Sequence, residues 1–212
     1  MSRERFDGMY QGQPPWDIPG PQPAFIELEQ SGAIVGSVLD VGCGTGENAL
    51  FLASRGHETW GIDVVPVALE RARAKARERG LEARFEVADA LHLEALGRRF
   101  DAVIDCGLFH TFDDDQRSAL VEGLGHVLRP GGAYHLLCFS DREPPGEGPR
   151  RVTQQEIHDA FRDGWEVRSI REVRFQTVLG PDQPQFSPGG PVAWLATIVH
   201  EGDERQSETP GA

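Results

Sequence analysis

From Ser37 onward the chain alternates short apolar runs with longer stretches of helical spacing, and each of the first five apolar runs is followed within a few residues by glycine or aspartate. Residues 38–41, 58–62, 83–87, 100–106 and 133–140 read as strands, and 47–54, 66–80 and 115–127 as helices. Thr153-Gln-Gln-Glu156 is a capping-box sequence that starts another helix. Residues 165–173 and 192–200 read as two final strands. Strands that alternate with helices imply an α/β, doubly wound, mostly parallel seven-stranded sheet with helices on both faces, because parallel neighbours need a crossover between them. In such sheets ligands bind at the carboxyl ends of the strands, so the residues just after each strand carry the functional signal.

Three segments follow from this pattern. Residues 1–30 form an arm rich in Gly, Pro and Gln, with Phe6, Met9, Tyr10 and Trp16 as apolar anchors and a short helix from Pro23 to a stop at Gly32. Residues 31–200 form the sheet domain. Residues 201–212 are acidic and polar and are expected to fray.

Composition removes whole classes of function. Asp and Glu number 34 against 21 Lys and Arg, a formal charge of −13. Such a surface repels phosphate backbones and anionic lipid, so neither nucleic acid nor membrane is an expected partner. No apolar run approaches the roughly 18–20 residues of a membrane span, and the polar start does not resemble a signal peptide; a cytoplasmic monomer or weak dimer is expected. Lys75 is the sole lysine and sits in an Arg-rich helix, which argues against Schiff-base chemistry. There is no Gly-Lys-Ser/Thr phosphate loop, and Cys138 stands four residues after Tyr134 where a Tyr-x-x-x-Lys pair would need lysine. Cys43, Cys106 and Cys138 lack Cys-x-x-Cys spacing and read as buried reduced thiols. The histidines have no partners at metal-ligand spacing, so no metal is expected.

After the first strand comes Asp40-Val-Gly42-Cys43-Gly44-Thr-Gly46-Glu47. Its G-x-G-x-G spacing differs from the G-x-G-x-x-G of pyrophosphate binders. Acids on both sides of the turn would repel pyrophosphate and suit a cationic ligand. After the second strand, Asp63 is placed to accept two ribose hydroxyls, with Val64 beside it. After the third, Asp89 can accept from an adenine amino group while Ala90 or Leu91 lines the ring. Carboxylates on three successive strand ends suggest a nucleoside with a positively charged tail.

These residues resemble a family. Residues 38–46, Gly61-Ile-Asp63, Ala88-Asp-Ala90, residues 100–105 and Leu128-Arg-Pro-Gly-Gly132 look like the ordered motifs of class I S-adenosylmethionine-dependent methyltransferases, whose sheet is Rossmann-like. A further resemblance, to the small thiopurine, thiol and heterocyclic-toxin methyltransferases, rests on residues 15–23, residues 106–112, Cys138-Phe-Ser-Asp141 and residues 148–153. The resemblance implies that Asp40 and the glycine turn hold the methionine part of S-adenosylmethionine, Asp63 the ribose, and Asp89 with Ala90 the adenine. Backbone near Cys106 and Gly107 would meet the methionine end, and Trp16 matches an arm tryptophan near the cofactor.

The implied reaction moves a methyl group to a small aromatic or heterocyclic acceptor at S, N or O, leaving S-adenosylhomocysteine. A base is needed only where the acceptor must lose a proton. His110 and Asp141 are the candidates. Tyr10, Phe109, Phe112, Phe139 and Trp16 are candidate pocket walls, and Arg150 and Arg151 could hold an anionic acceptor or close the 141–152 loop through Asp141. The arm is expected to act as a lid. Two rival readings remain at this stage: a non-methylating protein on the same scaffold, and a nicotinamide oxidoreductase, against which the glycine spacing counts.

Overall fold

The computed structural model describes residues 3–146, 148–178 and 186–202. Seven strands form one sheet in the order β3-β2-β1-β4-β5-β7-β6. They are β1 (Ser37–Val41), β2 (Glu58–Asp63), β3 (Ala83–Val87), β4 (Phe100–Cys106), β5 (Leu128–Phe139), β6 (Trp165–Arg174) and β7 (Val192–His200). The first five pair in parallel, while β7 is antiparallel to both β5 and β6. Strand β6 therefore points the same way as β5, and the carboxyl ends of β1 to β6 share one edge.

Among the described residues six α-helices accompany the sheet: α1 (Arg3–Met9), α2 (Pro23–Gln30), α3 (Glu47–Ser54), α4 (Pro66–Arg79), α5 (Asp114–Val127) and α6 (Gln154–Ala160). Their ends follow local chemistry. Pro66 opens α4 and Gly80, at φ 63°, closes it. Reciprocal capping boxes start α5 (Asp113 with Gln116) and α6 (Thr153 with Glu156). Among the described residues no helix is long and apolar enough to cross a membrane.

The two faces of the sheet bury alternate strand residues, as the two-residue period requires. Leu39, Val41, Val103, Tyr134 and Leu136 pack with Leu120 and Leu124 of α5 and Ile157 of α6. Val38, Ala102, Ile104 and Leu137 pack with Phe25 and Leu28 of α2. Complete burial of each such side chain stabilises the fold by about 1.5–3 kcal/mol.

The structure departs from the sequence reading in two elements. Strand β5 begins at Leu128, five residues before the expected start, because Leu128 already pairs with Phe100; the ladder resumes at Ala133 with Ala102 after a register shift that takes up the Arg-Pro-Gly-Gly segment. The arm begins with α1, whose Phe6 and Met9, with Tyr10 just past the helix end, fall at three- and four-residue spacing. Gly8 and the seven-residue length weaken that signal. Of the segment expected to fray, residues 203–212 lie outside the described residues.

Candidate functional site

A cavity of about 890 Å³ opens at the carboxyl edge of the sheet, within the usual size of small-molecule sites. One half is lined by Gly42, Asp63, Val64, Asp89, Ala90 and Leu91, with Cys106 and Gly107 at its inner end. The other half is lined by His110, Phe139, Gly148, Pro149, Phe175 and Phe186. Phe6, Met9, Tyr10, Pro15 and Trp16 of the arm also line it.

The glycine turn is shaped by what lies against it. Gly42 and Gly44 have φ of 67° and 53°, a left-handed conformation that costs glycine little. A Cβ on Gly44 would stand 2.5 Å from the Tyr10 hydroxyl, so the arm rests directly on the turn. Gly46, at φ 83°, opens α3 against Ala72 and Phe85. The Asp63 carboxylate braces the turn from β2, accepting from the peptide N–H groups of Gly44 and Val65, each at 2.9 Å. Each oxygen keeps a lone pair for a ligand hydroxyl.

Carboxyl groups gather beneath this half, and among the described residues no cation is paired with them. Asp40 is fully buried and neither of its carboxylate oxygens has a hydrogen-bond partner of normal geometry. Burial, and then the charge of Asp105, push its pKa well above the ordinary 3.8, against a weak opposing pull from the Ala49 peptide N–H. Burial also raises the Asp63 carboxyl. No arginine or lysine of the described residues pairs with Asp40, Asp63 or Asp105. Glu47 does not belong to this set: Arg79 and Lys75 each hold it at 2.8 Å and lower its pKa despite burial. The expectation of a cationic ligand, drawn from acids flanking the turn, therefore loses Glu47 and keeps Asp40, with Asp63 and Asp105 nearby.

Asp105 escaped the strand-end reading because it points inward from β4. It is buried and accepts from the peptides of Leu108 (2.7 Å) and Phe109 (3.1 Å) and from the Tyr134 hydroxyl (2.7 Å). Those bonds fix the turn that carries Gly107 and His110. Burial pushes its pKa up to about 6.

Several expected residues stand away from the cavity. Asp40, Cys43, Gly44 and Gly46 shape the turn from behind. Phe109 turns into the core, stacked on Phe161 at 6.2 Å with the Arg117 guanidinium over its ring, which corrects its placement as a pocket wall. Asp141 accepts from the Trp194 indole at 3.1 Å, outside the cavity, and so is not placed as a base. Arg150 is an ion-pair partner of Asp114 and Glu156, and does not reach Asp141 or the cavity. Arg151 donates to the Pro149 and Pro144 carbonyls and lies 5.5 Å over the Phe139 ring, so it ties Pro144 and Pro149 together from outside the cavity. Phe175 and Phe186 were missed. Phe175 immediately follows β6, and applying the strand-end rule to that strand would have found it.

A methyltransferase-domain family model matches residues 38–132. A Mycobacteroides abscessus protein described as 2-heptyl-1-hydroxyquinolin-4(1H)-one methyltransferase is 34% identical over 183 residues, 81% of each chain. The chain is an S-adenosylmethionine-dependent methyltransferase. The methyltransferase is also similar to a probable thiol methyltransferase of Arabidopsis thaliana, 28% identical over 173 residues that cover 80% of this chain and 76% of the relative. Its fold matches, at TM-score 0.85 and 38% identity, a structure solved in work on conversion of a disulfide bond into a thioacetal group during echinomycin biosynthesis; the match covers 96% of this chain and 94% of that one.

The methyltransferase's residues fit the cofactor. A buried pair of orphaned carboxylate oxygens, with two further acids and, among the described residues, no lysine or arginine paired with them, suits a sulfonium and an ammonium. Among the described residues no group of three His, Cys, Asp or Glu could hold a metal.

Proposed function

We propose that the methyltransferase acts on a flat aromatic or heterocyclic small molecule, held in the Phe139, Phe175 and Phe186 half of the cavity, at S, N or O. The observation that carries this reading is the joining of a carboxylate-rimmed half and an aromatic half in one cavity under the arm. Asp63 would hold the ribose hydroxyls. Ala90 and Leu91 would flank the adenine, with Asp89 as acceptor for its amino group; one Asp89 oxygen already takes the Leu91 N–H at 3.0 Å. Gly42, Val64, Cys106 and Gly107 would enclose the methionine end, with Asp40 behind the turn and Trp16 above it.

When bound, S-adenosylmethionine supplies an electrophilic methyl and a neutral thioether leaving group, so the transfer needs no acid. The protein's own contribution is positioning and exclusion of water, which can be worth up to about 7–11 kcal/mol in ideal cases. The arm suits the second role as a lid: Tyr10 and Trp16 meet edge to face, with the indole N–H donating to the Tyr10 hydroxyl at 3.0 Å. The net charge of −13 disfavours a nucleic-acid partner, and the proposed state is a cytoplasmic monomer or weak dimer.

The test has two arms. Calorimetry should show S-adenosylhomocysteine binding, and a panel of thiols, hydroxyquinolones and phenols should yield S-adenosylhomocysteine with at least one acceptor. Binding without turnover on any member would reject the proposed acceptor class.

A further inference from the structure

The aromatic half of the cavity has no carboxylate among the described residues. Its polar side chains are His110, Thr111, Gln116 and Thr177. Of these only His110 titrates. Tyr10, in the arm above, is kept protonated by burial, which pushes its pKa upward. Among the described residues of this half, a proton from the acceptor therefore has one candidate destination, the His110 ring.

The hydrogen bonding of that ring opposes such a role. Its Nδ1 accepts the buried peptide N–H of Phe139 at 3.0 Å. In the neutral imidazole the hydrogen then sits on Nε2, which is a donor with no free lone pair. The Nε2 edge faces Gly107, where a Cβ would stand 3.1 Å away, so glycine keeps that approach open. No described residue accepts from Nε2. The ring is held edge-on to Phe139 at 5.0 Å and tilted against Phe175 at 6.0 Å. Burial, then the charges of Arg117 and Arg151, push the His110 pKa down to about 3, so the ring stays neutral at physiological pH.

We infer that His110 donates its Nε2–H to the acceptor and removes no proton, so that the site takes aromatic acceptors whose reacting atom arrives already ionised: arenethiolates and acidic heteroaryl oxyanions. This rests on the methyltransferase reading above and names its substrate class. The balance is complete without a base. The acceptor's lone pair forms the bond to the methyl carbon as the carbon–sulfur bond breaks, that bond's electrons remain on sulfur, and anion and sulfonium neutralise each other.

The experiment measures kcat/KM against pH for a series of ring-substituted thiophenols of graded acidity, in the wild type, His110→Phe and His110→Gln. In the wild type the acid limb should shift along the series with the pKa of each thiol. His110→Phe should lose about ten- to a hundredfold in kcat/KM, the range for a hydrogen bond to a charged group, with the same series of midpoints. His110→Gln, which keeps an N–H donor, should recover most of that loss. S-adenosylhomocysteine affinity should be unchanged in both variants. A limb fixed at one pH across the series, and absent from His110→Phe, would overturn the inference by showing proton removal at His110. Equal activity of His110→Phe and wild type would overturn it too. Normal S-adenosylhomocysteine binding with no thiophenol turned over would reject the ionised-acceptor class. Loss of S-adenosylhomocysteine binding by the wild type would overturn the methyltransferase reading and this inference with it.

Discussion

The Tyr134 hydroxyl on β5 donates to the Asp105 carboxylate on β4 at 2.7 Å, and both residues are fully buried. This bond, with two peptide N–H groups, holds a carboxyl in the core and shapes the turn that bears Gly107 and His110. Tyr134→Phe leaves the ring in place and removes one bond to a charged group, a cost of about 1.5–3 kcal/mol. The cost should be larger at pH 8, where Asp105 is ionised, than at pH 4, where it is protonated. Urea denaturation at the two pH values measures this, and equal losses would mean that the hydroxyl does not stabilise the charged form.

The pH dependence of the wild type follows from the same buried acids. Asp105 has its pKa raised from 3.8 to about 6, so the folded chain holds that proton more tightly than the unfolded one. Its stabilising contribution is fully present below about 3.8 and is lost as pH rises through about 6. Asp40 is shifted in the same direction by burial and the charge of Asp105, against an opposing pull from the Ala49 peptide N–H. Asp40→Asn should therefore flatten the decline in ligand-free stability between pH 4 and pH 8. The curves should be compared without ligand, because a cationic cofactor favours ionised Asp40 and would mask the effect. A variant curve parallel to the wild type's would place the titration elsewhere.

The strand–helix alternation was legible because its punctuation is local: Pro66 and Gly80 around α4, the Thr153 and Glu156 box before α6, and glycines after β1. That Gly42, Asp63, Val64, Asp89, Ala90, Cys106 and Gly107 line one cavity was legible for the same reason, since each ends a strand or follows one closely. Asp105 was hidden because its role depends on Tyr134, 29 positions away. The acceptor half was harder, because Phe109 and His110 are neighbours on one short turn and face opposite ways. Phe109 enters the core under Arg117 and His110 enters the cavity. Glu47 misled in the same manner, since its neutralising partner Arg79 lies 32 residues on.

Asp63 combines bracing of the turn with an open face toward the cavity. Asp63→Ala removes the acceptors of the Gly44 and Val65 peptides and the groups proposed for the ribose. Each bond to a charged group is worth about 1.5–3 kcal/mol, so S-adenosylhomocysteine affinity should fall at least about tenfold. Asp63→Asn keeps the size and one acceptor oxygen, and should lose less. Calorimetry on both variants, with circular dichroism to verify the fold, checks the order; unchanged affinity in Asp63→Ala would mean the ribose lies elsewhere.

The arm is tied down on two sides of the cavity. On one side the Arg71 guanidinium of α4 donates to the Tyr10 carbonyl at 2.8 Å and to the Gly12 carbonyl at 3.3 Å. On the other, the Val178 N–H donates to the Pro15 carbonyl at 2.8 Å, and Gln22 exchanges two 2.9 Å bonds with the Gln176 backbone. Arg71→Ala cuts the first tether without touching the core. The arm between the tethers would then sample open states more often, while global stability should change by no more than about 0.5 kcal/mol, as for a surface substitution. Limited proteolysis should cut the variant faster within residues 1–20, and S-adenosylhomocysteine should slow the cut in both proteins by adding a ligand beneath Tyr10 and Trp16. A wider opening should also raise the KM for the acceptor. If ligand protects neither protein, the arm is a fixed wall of the site and its lid function is excluded.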